Sequence, residues 1–227
     1  MLKILCLIPA RSGSKGIKNK NIMVYKGKTL LAWSIEQAKS CKYKMRIIVS
    51  TDSEEYGELA KLQGAEVPYL RPKSISEDLS TDLEYIEHSI DWLKKTEGYT
   101  SDIILQLRPT SPTRTIEDIN KALDLFIKNR DNFDSLRSVI PIDKSPYKMY
   151  TLKDNTLSPL FTEINNIKEC YNMPRQILPQ CYLHNGYIDI LNTSILKDKT
   201  ISGSRILPYI MREVDNLDID TPSDLKS

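Results

Sequence analysis

Apolar residues recur along the chain in two rhythms. Short, nearly continuous apolar runs at Leu2–Ile8, Arg46–Ser50, Ile103–Leu107, Ser135–Ile140 and Tyr187–Leu191 predict strands buried on both faces. Between them lie stretches with helical spacing. Leu31, Ile35 and Ala38 share one face within 29–41, and Ile116, Ile119, Leu123 and Phe126 share one within 115–129. Residues 53–63 and 82–97 follow the same spacing. This alternation predicts an α/β fold with a mostly parallel sheet and helices on both faces.

The rhythm breaks near residue 141. Pro141, Pro146, Pro159, Pro174 and Pro179 punctuate the segment to 182, and five aromatic residues add bulk. The expected organisation is one domain, 1–227, with 141–182 inserted as an arm. A chain of 227 residues is long enough to bury a full core this way.

Charge and cysteines narrow the picture. The 32 basic and 30 acidic side chains leave a formal charge of +2, which argues against a general nucleic-acid binder. No apolar run is long enough to span a bilayer, and the opening MLKILCLIPA reads as a core strand rather than a signal peptide. Cys6, Cys41, Cys170 and Cys181 lack metal-like spacing and read as free thiols, which fits a cytoplasmic protein.

Directly behind the first strand lies LIPARSGSKGIKNKN, residues 7–21. In an open parallel sheet, ligands bind at the carboxyl ends of the strands, where this loop emerges. Gly13 and Gly16 allow backbone N–H groups to approach an anion. Arg11 can grip a phosphate with two parallel hydrogen bonds, and Lys15, Lys18 and Lys20 supply point charges. A polyphosphate suits such a loop, and a solvated basic turn is the plainer alternative. The loop matches neither G-x-x-x-x-G-K-[ST] nor G-x-G-x-x-G.

IPARSGSKGIKNKN resembles the nucleotide-binding signature of the acylneuraminate cytidylyltransferases, the CMP-sialic acid synthetase family. Six further segments match in order: IIVSTDSEE, LRPKSISEDLSTD, LRPTSPTRT, MPRQILPQ, NGYIDI and LDIDTPSDL. The resemblance implies a Rossmann-like nucleotidyltransferase fold whose inserted arm serves dimerisation. It implies a reaction in which CTP and a 2-keto-3-deoxy sugar acid give a CMP-sugar and pyrophosphate, assisted by Mg2+. It also implies a homodimer, while the charge balance and the lack of a spanning run lead us to expect no nucleic-acid or membrane partner.

The resemblance assigns Arg11 and Lys20 to the triphosphate, and places the backbone of Ser12, Gly13, Ser14, Lys15 and Gly16 around its phosphates. Asn21 matches a nucleotide contact, as does Arg71, which unaided reads equally as a surface arginine. Ser80 and Thr81 fall in the stretch lining the cytosine pocket. Asp218 and Asp220, one residue apart, are assigned to the metal, hard oxygen donors of the kind magnesium takes. Thr221 and Pro222 read as the start of a final helix.

On the sugar side the resemblance places Arg108, Thr110, Ser111, Lys148, Arg175, Gln176 and Asn185. Lys148 and Arg175 read, taken singly, as solvated surface charges, and Asn185 with Gly186 as a tight turn. Arg108 stands where relatives commonly carry Gln. It either meets a modified nine-carbon acid, such as a legionaminic-type sugar, or turns away to a protein carboxylate. Asp52 reads as a helix cap ahead of Glu54 and Glu55, and His88 as structural. Two alternatives accompany this reading: a synthetase for the eight-carbon acid Kdo, and a non-catalytic sugar-nucleotide sensor on the same scaffold.

Overall fold

The computed structural model describes residues 2–13, 17–212, 218, 219 and 224. Six strands form the main sheet: β1 (Ile4–Pro9), β2 (Met45–Ser50), β3 (Ile103–Gln106), β4 (Ser135–Ile142), β5 (Cys181–Asn192) and β6 (Ile206–Ile210). Their spatial order is β6-β4-β5-β3-β1-β2. β1 runs parallel to β2 and β3, and β6 parallel to β4, while β5 is antiparallel to both neighbours.

Among the described residues the α-helices are α1 (Leu30–Lys39), α2 (Glu54–Leu62), α3 (Asp82–Glu97) and α4 (Ile116–Asn129). The pleat of β1 shows how they are held. Ile4, Cys6 and Ile8 face one core together with Leu31 and Ile35 of α1, Tyr56 of α2, and Leu123 and Phe126 of α4. Leu5 and Leu7 face the opposite core with Tyr85, Ile86 and Leu93 of α3. Successive strand residues point to opposite faces, so an unbroken apolar run satisfies both layers. Each helix starts on a hydroxyl cap: Thr29, Ser53, Thr81 and Thr115. Thr81 forms a reciprocal capping box with Glu84. Ser53, not Asp52, therefore caps α2, which corrects the sequence expectation.

The segment 141–182 leaves at the end of β4 and returns as the start of β5. It carries two small hairpins, Tyr150–Lys153 with Thr156–Pro159 and Glu163–Ile164 with Ile167–Lys168. Both turn through residue pairs with positive φ, Asp154–Asn155 and Asn165–Asn166. These are the residue types that tolerate a two-residue hairpin turn. The arm exposes Met149, Tyr150, Leu152, Leu157, Leu160 and Phe161. All four cysteines are free. Among the described residues no helix is long and apolar enough to cross a membrane.

Candidate active site

A cavity of about 480 Å³ opens at the carboxyl ends of β1 and β3. Eight of the residues singled out in the sequence line it: Arg11, Lys20, Asn21, Arg71, Ser80, Thr81, Arg108 and Thr110. They come from four separate segments, which the sheet edge brings together. The amino terminus of α3 also opens here through Thr81 and Asp82, so the helix adds partial positive charge.

The nucleotide loop is tied down residue by residue. The N–H of Ala10 donates to Ser50 at 2.9 Å, and the carbonyl of Arg11 accepts from the Asn21 amide at 2.9 Å. Ser12, expected to cradle phosphate, has a carboxylate partner in this structure. Its N–H and its hydroxyl both donate to the Asp52 carboxylate, at 2.8 and 2.9 Å. The guanidinium of Arg11 donates to Asp78 at 3.0 Å and to the Ser76 carbonyl at 3.4 Å. Gly13 has open space around its Cα. Ser14, Lys15 and Gly16 lie outside the described residues.

Arg71 is no surface arginine. It is buried, donates to the Ser50 hydroxyl at 3.1 Å and carbonyl at 2.6 Å, and lies over the Tyr85 ring. Burial lowers its pKa, against the opposing influence of nearby Tyr85, Tyr69 and Asp52. The Ser80 hydroxyl accepts from the Glu77 N–H, and the Thr81 hydroxyl caps α3.

Arg108 pairs with protein carboxylates, as the second of its two expected courses had it, while still lining the cavity. Its fork bridges Asp82 at 2.6 Å and Asp189 at 2.5 Å, and donates to the Gly186 carbonyl at 3.3 Å. Burial alone would lower its pKa, but Asp189 and Asp82 outweigh burial and raise it. The same partners hold Asp189. Although burial pushes its carboxyl up, His184, Arg108 and Arg137 bring the pKa below the usual range. Gly186 has φ +66°, and a Cβ there would stand 3.4 Å from the Arg108 guanidinium, so glycine suits this bulge in β5.

Other expected sugar-side residues do not reach the cavity within one chain. Asn185 is buried and braces the β5 bulge, accepting from the Ser138 hydroxyl at 2.6 Å and the Tyr187 N–H at 3.3 Å. Ser111 is buried behind the loop. Lys148, Arg175 and Gln176 stand exposed on the arm, where Arg175 donates to the Asp143 carbonyl. His88 packs edge-on against Tyr69.

Asp218 is half-buried. The adjacent Ile219 N–H donates to the carbonyl of Thr110 at 2.8 Å, and its side chain packs with Ile17, Tyr25 and Leu30. Asp220, Thr221 and Pro222 lie outside the described residues.

Four residues of the site gave no signal of their own in the sequence reading. Asp78, Asp82 and Tyr85 line the cavity. Arg114 is fully buried and staples the loop after β3, donating to the Arg108 carbonyl at 2.7 Å, the Gln37 side chain at 2.9 Å and the Tyr187 carbonyl at 2.5 Å. Burial lowers its pKa to about 10, so it remains charged at neutral pH.

A mostly parallel α/β sheet with a cationic cavity at its strand ends defines a nucleotidyltransferase-type fold. The nearby solved folds agree. CMP:2-keto-3-deoxy-manno-octonic acid synthetase complexed with CTP has a TM-score of 0.69 at 16% identity, covering 99% of this chain and 95% of that one. A 4-diphosphocytidyl-2C-methyl-D-erythritol synthase has a TM-score of 0.64 at 13% identity, covering 100% and 97%.

The sequence matches the cytidylyltransferase family over residues 5–226; the chain belongs to that family and is a nucleotidyltransferase. It is 32% identical to the post-translational flagellin modification protein B of Campylobacter coli, over 100% of this chain and 93% of that protein. It is 34% identical to the CMP-N,N'-diacetyllegionaminic acid synthase of Legionella pneumophila, over 98% and 93%. Identity to the N-acylneuraminate cytidylyltransferase of Escherichia coli is 35% over 99% of this chain, which spans about half (51%) of that longer protein.

Proposed function

We propose that this chain transfers CMP from CTP to a nine-carbon 2-keto-3-deoxy sugar acid and releases pyrophosphate. The observation that carries the reading is the single cavity that collects Arg11, Lys20, Asn21, Arg71, Ser80 and Thr81 at the sheet edge. The names of the relatives point the same way: legionaminic, pseudaminic and N-acylneuraminic acids are all nine-carbon acids of this class. The fold neighbour that acts on the eight-carbon acid is 16% identical, a likeness of fold that carries no argument about substrate.

In this reading the anomeric hydroxyl of the acid attacks the α-phosphorus and pyrophosphate leaves in line. Charge builds on the phosphoryl oxygens, and positioned cations stabilise it. Arg11 exchanges Asp78 for the triphosphate, and Lys20 meets the leaving pyrophosphate. Arg71, fixed on Ser50 and stacked on Tyr85, presents a preorganised cation at the cavity wall. Ser80 and Thr81, at the head of α3, border the base.

Asp218, the described member of the carboxylate pair, is a donor of the kind that suits a magnesium ion. The Ile219–Thr110 hydrogen bond carries the Asp218 segment to the cavity edge, and magnesium is commonly held by one or two carboxylates with substrate phosphates completing its shell. Asp218 and Asp220 would hold it. Bound there, it would neutralise phosphate charge and activate the attacking hydroxyl.

We further propose a cytoplasmic homodimer. The exposed apolar row on the arm supports it, as does the position of Lys148, Arg175 and Gln176 away from their own cavity. In a dimer these residues reach the partner's acceptor acid. The reading is tested by pyrophosphate release from each of the four nucleoside triphosphates with a panel of 2-keto sugar acids. Release restricted to CTP plus a nine-carbon acid is expected, and no release with any pair would end the reading.

A further inference from the structure

Asp52 stands just past β2, and its carboxylate faces the chain leaving β1. The two oxygens divide the donors of Ser12: one takes the backbone N–H at 2.8 Å, the other the hydroxyl at 2.9 Å. Capping of α2 does not need Asp52, since Ser53 does it. Ser12 sits between Arg11, which enters the cavity, and Gly13, where an added Cβ would meet no described atom within 4 Å. The backbone of Ala10 and of Arg11 is tied by neutral hydrogen bonds and the Arg11 side chain by Asp78 and Ser76, whereas at Ser12 both donors go to one carboxylate, a charge-assisted fork. A carboxylate this near a polyphosphate site opposes the ligand by its charge. Its presence there calls for a gain that outweighs the repulsion.

We propose that Asp52 is a positioning residue for the nucleotide: by gripping both donors of Ser12 it fixes the direction in which the neighbouring Arg11 meets the triphosphate. The inference rests on the CTP reading above. It adds a residue whose role is to orient Ser12 and Arg11 rather than to touch the substrate.

Titration calorimetry with CTP and magnesium tests it on the intact protein, with thermal unfolding measured beside it. Misdirecting a gripping group is costly, so Asp52→Ala should weaken CTP binding roughly tenfold or more. Asp52→Asn keeps an acceptor for the Ser12 N–H and an N–H for the Ser12 hydroxyl oxygen. It should restore affinity to within about threefold of wild type. The KM for the acceptor acid should not change in either variant. A purely structural role would lower the melting temperature and leave the CTP affinity of the folded protein intact.

Wild-type affinity in Asp52→Ala would overturn the proposal. So would an Asn variant as weak as the Ala variant, which would assign the effect to charge balance with Arg71. If Asp52→Ala does not fold, Ser12→Ala decides: about a threefold loss supports the grip, and no loss overturns it. Failure of the wild type to bind CTP would instead bring down the functional reading, and this inference with it.

Discussion

Replacing Arg108 by Gln separates two roles that one arginine can play. In the structure its fork spans Asp82 and Asp189, whose side chains are 33% and 4% exposed. The Asp82 half is solvent-screened and contributes about 0.5 kcal/mol. The Asp189 half is buried, and removing one partner of such a pair costs about 3–5 kcal/mol. Asp189 keeps Arg137 at 3.3 Å and His184 at 2.8 Å, which trims the expected loss to roughly 2–3 kcal/mol. For a chain of this length that is a fall in melting temperature of about 4–12 °C.

The pH dependence has a definite sign. The folded-state pKa of Asp189 is lowered, so its stabilisation is complete above the unfolded value near 3.9 and is lost as pH falls through the folded value. The wild-type advantage over Arg108→Gln should therefore be largest at neutral pH and shrink below about pH 4. Urea unfolding from pH 7 to pH 3 reads this directly, and kcat/KM across the sugar-acid panel is measured in parallel. A variant as stable as wild type whose ranking of acids changes would refute the account and return Arg108 to the acceptor.

Arg11→Ala and Lys20→Ala should each lower kcat/KM for CTP by roughly 10- to 100-fold, as loss of a charge-assisted contact implies, with little change in melting temperature. Asp78→Asn should act in the opposite direction: it frees Arg11 from its present partner, so the dissociation constant for CTP should fall by up to about fivefold in a binding titration. Asp218→Asn should lower kcat by about 10²-fold at saturating magnesium with the fold intact by circular dichroism. Leu152→Asp with Leu157→Asp should convert a dimer to a monomer in sedimentation at micromolar concentration, through two exposed arm positions that a monomer does not need.

The main sheet was legible because its central strands are buried on both sides and so write themselves as apolar runs. β6 was not. It is an edge strand whose exposed and half-buried residues alternate, and Pro208 interrupts it. Proline is tolerated there because an edge strand has a free hydrogen-bonding side. The arm's hairpins were masked by the prolines around them, though the pairs Asp154–Asn155 and Asn165–Asn166 carried a turn signal. In the site, the cationic loop was legible because residue type and place behind a strand coincide, whereas Arg71 came only with the family resemblance. The carboxylates that organise them were not. Asp52 lies 40 residues from Ser12, and Asp189 lies 81 from Arg108. Nothing local to an isolated acid states which distant donor the sheet will bring to it. The same distance explains why Asp52 reads as a cap in sequence and grips a loop in the fold.

The central claim is that a nine-carbon acid and CTP meet in this cavity. Mass spectrometry of the products, from wild-type protein with CTP, magnesium and a mixed pool of nine-carbon and eight-carbon 2-keto acids, tests it most directly. The account predicts a CMP adduct of a nine-carbon acid together with one equivalent of pyrophosphate. An adduct formed only with the eight-carbon acid, or CTP recovered intact from every mixture, would contradict it.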